Sequence, residues 1–226
     1  MQTLVNICVT IAVAFVVVLA LYLALRLTKR LRAVLLLQEV ANEPDAPDPV
    51  GRMLRIYYHR LPVFSGVRIP VQTKSGPRLC EVEHLMINRG GILLITSCPQ
   101  RGFIENPFQG DWRQFSHDTI HQFPNPLEAN TANARILNAV LKSRKVENIP
   151  IRAIAVFPAE KNRYKNRIEQ VMPLSRLVGY IHDMNKNRFL SRMEIHRTAS
   201  VLKSAMRTKT ANRTGSAPAK PFLTKK

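Results

Sequence analysis

The stretch from Leu79 to Cys98, Leu-Cys-Glu-Val-Glu-His-Leu-Met-Ile-Asn-Arg-Gly-Gly-Ile-Leu-Leu-Ile-Thr-Ser-Cys, constrains the fold more than any other in the chain. A strand repeats every two residues, so Glu81 and Glu83 share one face while Val82 and His84 point to the other. Gly90-Gly91 supplies the left-handed conformations of a tight turn. The run Ile92 to Ile95 is apolar throughout, as in a strand buried on both faces of a sheet. The prediction is a β-hairpin with two carboxylates on one face of its first strand, where a metal-dependent nuclease would place its site.

The surrounding pattern predicts an α/β domain. Gly51 to Arg60 has apolar residues at helical spacing, Met53, Ile56 and Tyr57, and Gly66 to Val71 alternates through Val67, Ile69 and Val71 as a first strand. Thr73 to Pro77 reads as a polar turn. Pro99 to Phe123 is polar and aromatic, an extended loop or extra hairpin in which Trp112 is a packing anchor. Phe115 and Trp112, interleaved with Arg101 and Arg113, would suit base stacking on a single strand. His117 and His121 have no acid motif beside them and are read as surface or core-edge residues, not ligands.

Asn125 caps a helix that Pro126 opens and that runs to about Lys142, with Leu127, Ile136, Leu137, Val140 and Leu141 inward. Pro150 to Phe157 follows as an apolar strand, which completes a strand-helix-strand unit. Ile168 to Val171 is a candidate last strand. Pro173 to Asp183 and Phe189 to Ala205 read as helices, the second burying Met193, Ile195, Ala199 and Leu202.

Glu-Val-Glu-His-Leu followed by Gly-Gly-Ile-Leu-Leu-Ile, the tryptophan after a loop, and Asn125-Pro126-Leu127 before a helix arrive in one order that resembles the nuclease-related domain (NERD) family. The resemblance covers residues 50–158. It implies a restriction-endonuclease-like PD-(D/E)XK fold, a mixed sheet flanked by helices, with an acid at Glu83. It also implies a Glu-x-Lys where this chain has Thr96-Ser97-Cys98, a Gly-Glu where it has Gly51-Arg52, and a glutamine where it has Ala129. Carboxylates hold a hard divalent cation and a lysine steadies the attacking water; a threonine hydroxyl or a thiol substitutes poorly for either. Arg52, Thr96, Cys98 and Ala129 therefore mark a degenerate site whose remnant is Glu83 with Glu81, and no metal or cofactor is expected. Mg²⁺ or Mn²⁺ belongs only to an alternative, a variant nuclease in which Glu81, Glu83 and a migrated acid, Glu105 or Asp111, hold the ion and Arg101 replaces the lysine.

Outside that region, composition divides the chain. Residues 1–28 form a transmembrane anchor, because Leu4 to Leu25 has no charged residue and is long enough for the roughly 20 residues a spanning helix needs. Arg26, Lys29, Arg30 and Arg32 follow it, which places the C-terminal side in the cytoplasm: an inner-membrane, single-pass, N-out/C-in protein. Residues 29–49 are a juxtamembrane helix and a Pro/Asp linker, residues 159–206 a basic helical extension, and residues 207–226 a disordered basic tail.

Lys and Arg total 34 against 15 acids, a net charge of +19, and that balance calls for a polyanionic partner, nucleic acid or anionic lipid. Lys161, Arg163, Lys165, Arg167, Arg188, Arg192 and Arg197 are its candidate contacts. A protein partner is a further expectation, and a scaffold clamped to anionic lipid is the third functional reading. Cys8, Cys80 and Cys98 have no metal-like spacing and fit free thiols in a reducing compartment.

Overall fold

The computed structural model describes residues 15–25, 27–28, 48–73, 76–116, 119–159 and 161–211. The chain divides into two units, 1–46 and 47–226. In the first, residues 15–25 are helical and exposed. The expected span over 4–25 lies partly outside the described residues, and among those described no helix is long and apolar enough to cross a membrane.

The second unit opens at Asp48, whose side chain accepts from the Gly51 N–H and caps helix α1 (Pro49–Tyr57). Strands β1 (Val63–Thr73), β2 (Gly76–Asn88) and β3 (Gly91–Ser97) form an antiparallel meander. Helix α2 (Pro126–Ser143) carries the chain to β7 (Ile151–Phe157), which pairs parallel with β3. A short β9 (Val171–Pro173) adds parallel to β7, giving the order β1-β2-β3-β7-β9. The expected mixed sheet flanked by helices is present, with helices α3 (Leu174–Lys186) and α4 (Arg192–Ala211) closing the chain.

Several boundaries differ from the sequence reading. β1 and β2 extend through most of the polar turn expected at Thr73 to Pro77, pairing Thr73 with Gly76. The hairpin turn is Arg89-Gly90, because Asn88 pairs with Gly91. Only Gly91 of the two glycines has positive φ, 118°; Gly90 is needed because a Cβ there would collide with the Met184 carbonyl. The stretch 99–123 is three strands, β4 (Phe103–Glu105), β5 (Trp112–Ser116) and β6 (Thr119–Phe123). With β8 (Arg163–Tyr164) they make a second sheet, ordered β6-β5-β4-β8.

Residues 159–206 build on the same framework as the domain before them. β8 extends the second sheet and β9 the first, and Leu190, Ile195, Ala199 and Leu202 join the main core. Met193, expected inward, is 80% exposed. Helix α4 continues past the expected tail boundary at 207 to Ala211.

Beside the buried Met53, Leu54, Met86, Leu93, Ile95, Leu174 and Leu177, two apolar clusters stand out among the described residues. One packs Val67, Ile69, Val82, Leu85, Ile87 and Leu94 of the first sheet under Leu137 and Leu141 of α2 and Leu202 of α4. The other joins Cys98, Ile104, Trp112, Phe123, Phe157 and Val171. Trp112 is fully buried, stacked on Phe157 at 6.3 Å with an interplanar angle of 10°. Its indole N–H donates to the Pro107 carbonyl at 3.1 Å. Burial on all sides removes Trp112 from base stacking, and Phe115 faces Phe103 at 5.6 Å.

Candidate functional site

The site begins with a break in strand alternation. Cys80 and Val82 enter the main core, and so do Leu85 and Ile87; the inward residues change from even to odd numbers between them. Glu83 and His84, consecutive in sequence, therefore both lie on the opposite face. The neighbouring strand makes the same change between Phe64 and Val67, across Gly66 with φ 61°. The pairing stays in register, Ser65 with His84 and Val67 with Val82. A break of this kind re-aims side chains as a bulge does next to a site. Strict alternation set His84 away from Glu83, and the structure brings the two together.

Asp48 reaches the same face from the start of α1. It holds φ 65°, a left-handed conformation sparsely adopted outside glycine. Its Oδ1 accepts the Gly51 N–H at 2.7 Å, and its Oδ2 lies 3.5 Å from Arg55 Nη1. Gly51 leaves room for this placement of the Asp48 carboxylate, which a Cβ at that position would overlap.

The three side chains converge: one ligand-type atom from each of Asp48, Glu83 and His84 lies within 4.8 Å of the others. His84 Nε2 stands 2.8 Å from Asp48 Oδ1 and 3.7 Å from Glu83 Oε1. His84 is 2% exposed, and its Nδ1 faces Ser65 Oγ at 3.0 Å. Although Nε2 is at hydrogen-bond distance from Asp48, the direction is not that of a hydrogen bond, and Nε2 has no hydrogen-bond partner. Glu83 Oε2 accepts the Ser97 N–H at 2.7 Å. Burial pushes the Glu83 carboxyl above its usual range, the Ser97 N–H and His84 oppose this, and the Asp48 charge adds to it.

The positions at which the resemblance placed catalytic groups are filled otherwise. The Thr96 hydroxyl accepts from Asn130 Nδ2 at 2.8 Å. Cys98 is buried at 4% exposure in the aromatic cluster, its thiol pushed up to about 12 by burial and by the Glu83 charge. Ala129 faces solvent, and its neighbour Asn130 points inward. Arg52 stands one turn after Asp48, its N–H donating to the Asp48 carbonyl at 3.1 Å. A buried neutral thiol, an occupied hydroxyl and a guanidinium do not fit the all-oxygen shell of Mg²⁺.

The other expected acids are engaged elsewhere. Glu81 is exposed and paired with Arg68 at 2.9 Å. Glu105 pairs with Lys165 and, at 3.6 Å, with Arg113; the Lys165 ammonium holds its carboxyl below the usual range. Asp111 Oδ2 accepts from Gln122 at 2.9 Å. Among the described residues, neither Glu105 nor Asp111 joins the Glu83 cluster. Arg101 is exposed, and its carbonyl accepts from Gln114 at 2.8 Å. His121 is exposed beside Phe123, and His117 lies outside the described residues.

Lys161, Arg163, Lys165 and Arg167 are exposed in strict alternation, with Asn162, Tyr164, Asn166 and Ile168 half-buried between them. The row is pinned to the segment that leaves β3: Asn162 accepts the Gly102 N–H at 2.8 Å and donates to the Gln100 carbonyl at 2.9 Å. Arg188 and Arg192 are exposed, while Arg197 donates to the Lys145 carbonyl at 3.1 Å.

Sequence reasoning missed Asp48, His84 and Asn130. Asp48 belonged to a Pro/Asp linker, but its position immediately before Pro49 is an N-cap signal that could have found it. Residues 50–158 match the family model of the nuclease-related domain. No curated protein and no solved structure matches the chain.

Proposed function

Residues 50–158 are a nuclease-related domain, and on that premise we propose that the chain binds nucleic acid at the cytoplasmic face of a membrane without cutting it. The observation that carries the reading is the exposed row Lys161, Arg163 and Arg167, tied through Asn162 to the segment that leaves the Glu83 site. Three cations two and four residues apart on one exposed edge suit a polyphosphate backbone and carry no base-reading geometry, so binding is broad in sequence preference. Lys165 contributes less, because Glu105 neutralises it. The loss of cleavage follows from Thr96 and Cys98: neither offers a charge to a metal-bound water or to a scissile phosphate.

Membrane attachment rests on the uncharged run Leu4 to Leu25 and on the cluster Arg26, Lys29, Arg30 and Arg32 after it. A reporter active only outside the cytoplasm, fused after Lys226, gives no signal if this orientation holds and a strong one if it does not.

The test of binding uses the full chain in detergent, with EDTA present and salt varied. Affinity for DNA or RNA should fall steeply with salt, and replacing Lys161, Arg163 and Arg167 by alanine should flatten the log–log slope by about two to three. Absence of binding at low salt, with capture by vesicles of anionic lipid instead, would replace this reading with the lipid clamp. An unchanged slope in the triple variant would remove the row from the interface.

A further inference from the structure

The geometry points to a divalent-cation site formed by Asp48, Glu83 and His84, one that takes a borderline first-row ion, Zn²⁺, in preference to Mg²⁺. This reaches beyond nucleic-acid binding and departs from the expectation of no metal, which rested on the replaced family positions Arg52, Thr96, Cys98 and Ala129 and did not count Asp48 or His84 as ligands.

The cluster offers one imidazole nitrogen and two carboxylates. Two of its separations, 2.8 Å and 3.7 Å from His84 Nε2, bracket the spacing of roughly 3 to 3.4 Å that ligands at about 2.1 Å from a shared ion require. His84 Nε2 is the second, independent sign. It is buried, has no hydrogen-bond partner and lies within 3.7 Å of two carboxylate oxygens.

In the tautomer where Ser65 Oγ accepts from the Nδ1–H, Nε2 is a bare acceptor 2.8 Å and 3.7 Å from two carboxylate oxygens, an arrangement of mutual repulsion that a cation converts into attraction. The Ser65 contact is also what a metal-bound histidine needs, since a partner on the far nitrogen fixes tautomer and ring direction. Glu83 is held in the same way by the Ser97 N–H, and Asp48 by the Gly51 N–H. Glu83 and His84 each have one atom fixed by the protein and face the cluster with the other, while Asp48 faces it with the same Oδ1 that accepts the Gly51 N–H, its Oδ2 standing 3.5 Å from Arg55 Nη1.

An imidazole in a set of three selects against Mg²⁺, which prefers oxygen throughout and parts reluctantly with water. Three protein ligands leave positions open on the ion. A phosphate oxygen or water could occupy them, but the site stands on its protein ligands alone.

The experiment strips the full chain, in detergent, with a chelator and titrates it with Co²⁺ as a visible stand-in, followed by competition with Zn²⁺ and Mg²⁺. Expected is one Co²⁺ per chain, with d–d bands of nitrogen and oxygen ligation, displaced by Zn²⁺ and retained in excess Mg²⁺. His84→Gln and Asp48→Asn should each weaken Co²⁺ by about tenfold or more. Gly51→Ala, which keeps every ligand and crowds only the Asp48 carboxylate, should weaken it too, and His121→Gln should not.

Absence of saturable binding, equal affinity in the Asp48→Asn and Gly51→Ala proteins, or a thiolate charge-transfer band would each overturn the assignment. No nucleic acid is present here, and the binding test of the preceding section runs in EDTA, so either reading can fail alone.

Discussion

Asn130 on α2 donates from Nδ2 to Thr96 Oγ1 at 2.8 Å and to the Ile154 carbonyl at 3.3 Å, closing the end of β3 where the family resemblance would put a second carboxylate. The adjacent Cys98 side chain lies among Ile104, Trp112 and Phe157. Thr96→Glu must therefore displace a buried amide from its partner, and Cys98→Lys must bury an ammonium in an aromatic cluster. We expect the double variant to lose about 3 kcal/mol or more of stability in urea denaturation and to gain no cleavage. A stable, cleaving double variant would show that the strand end still accommodates a catalytic pair.

Gly51→Ala sets two small effects against each other. Loss of the Asp48 cap costs about 1 kcal/mol, and alanine in place of glycine returns about 0.5–1 kcal/mol in a helix. Gly51 does not have positive φ, so no backbone strain is added. Denaturant melts should place the variant within about 1 kcal/mol of wild type, although its Asp48 carboxylate must move. A loss beyond about 3 kcal/mol would mean that Asp48 anchors more than the helix start.

Trp112 is the only tryptophan and is fully buried, so its emission reports directly on the aromatic core. Emission should be blue-shifted, resist acrylamide quenching and stay unchanged when nucleic acid is added. Trp112→Ala should cost about 3–5 kcal/mol, the usual scale for emptying a large aromatic site. Quenching on addition of single-stranded DNA would return Trp112 to the binding surface.

Burial raises the Cys80 thiol from its ordinary 9.0 to about 11, and the thiol donates to the Asn133 carbonyl at 3.7 Å. The folded chain keeps this group neutral where the unfolded chain ionises it. Its contribution to stability is therefore complete below about pH 9 and is lost as pH rises through the folded value, about 11. Thiol reagents at pH 8 should leave Cys80 unmodified until the protein is denatured. Stability of the wild type should fall between pH 9 and 11 more steeply than that of Cys80→Ala, and parallel falls would contradict the assignment.

Much of the fold was legible because burial follows period. The apolar run Ile92 to Ile95, the amphipathic helix after Asn125-Pro126 and the triplet Ile195, Ala199 and Leu202 all sit where their spacing put them. The site was less legible because it depends on departures from period. Glu83 and His84 share a face only through the paired break at Gly66, and no local propensity marks such a break in a strand of ordinary composition. Asn130 faces inward in place of Ala129 because a helix turns about 100° per residue, so a one-residue error in phase exchanges solvent for core. The cationic row read as an appendage because its inward partners, Asn162, Tyr164 and Asn166, are polar or aromatic and give no hydrophobic period.

Binding without cleavage is tested most directly on one gel: labelled DNA and RNA, single- and double-stranded, incubated at low salt with the full chain and Mg²⁺, Mn²⁺ or Zn²⁺, then resolved both native and denatured. We predict shifted complexes on the native gel and intact strands on the denaturing gel, the same for wild type and Glu83→Gln. Cleavage products that disappear in Glu83→Gln, or no shift with any of the nucleic acids, would contradict the account.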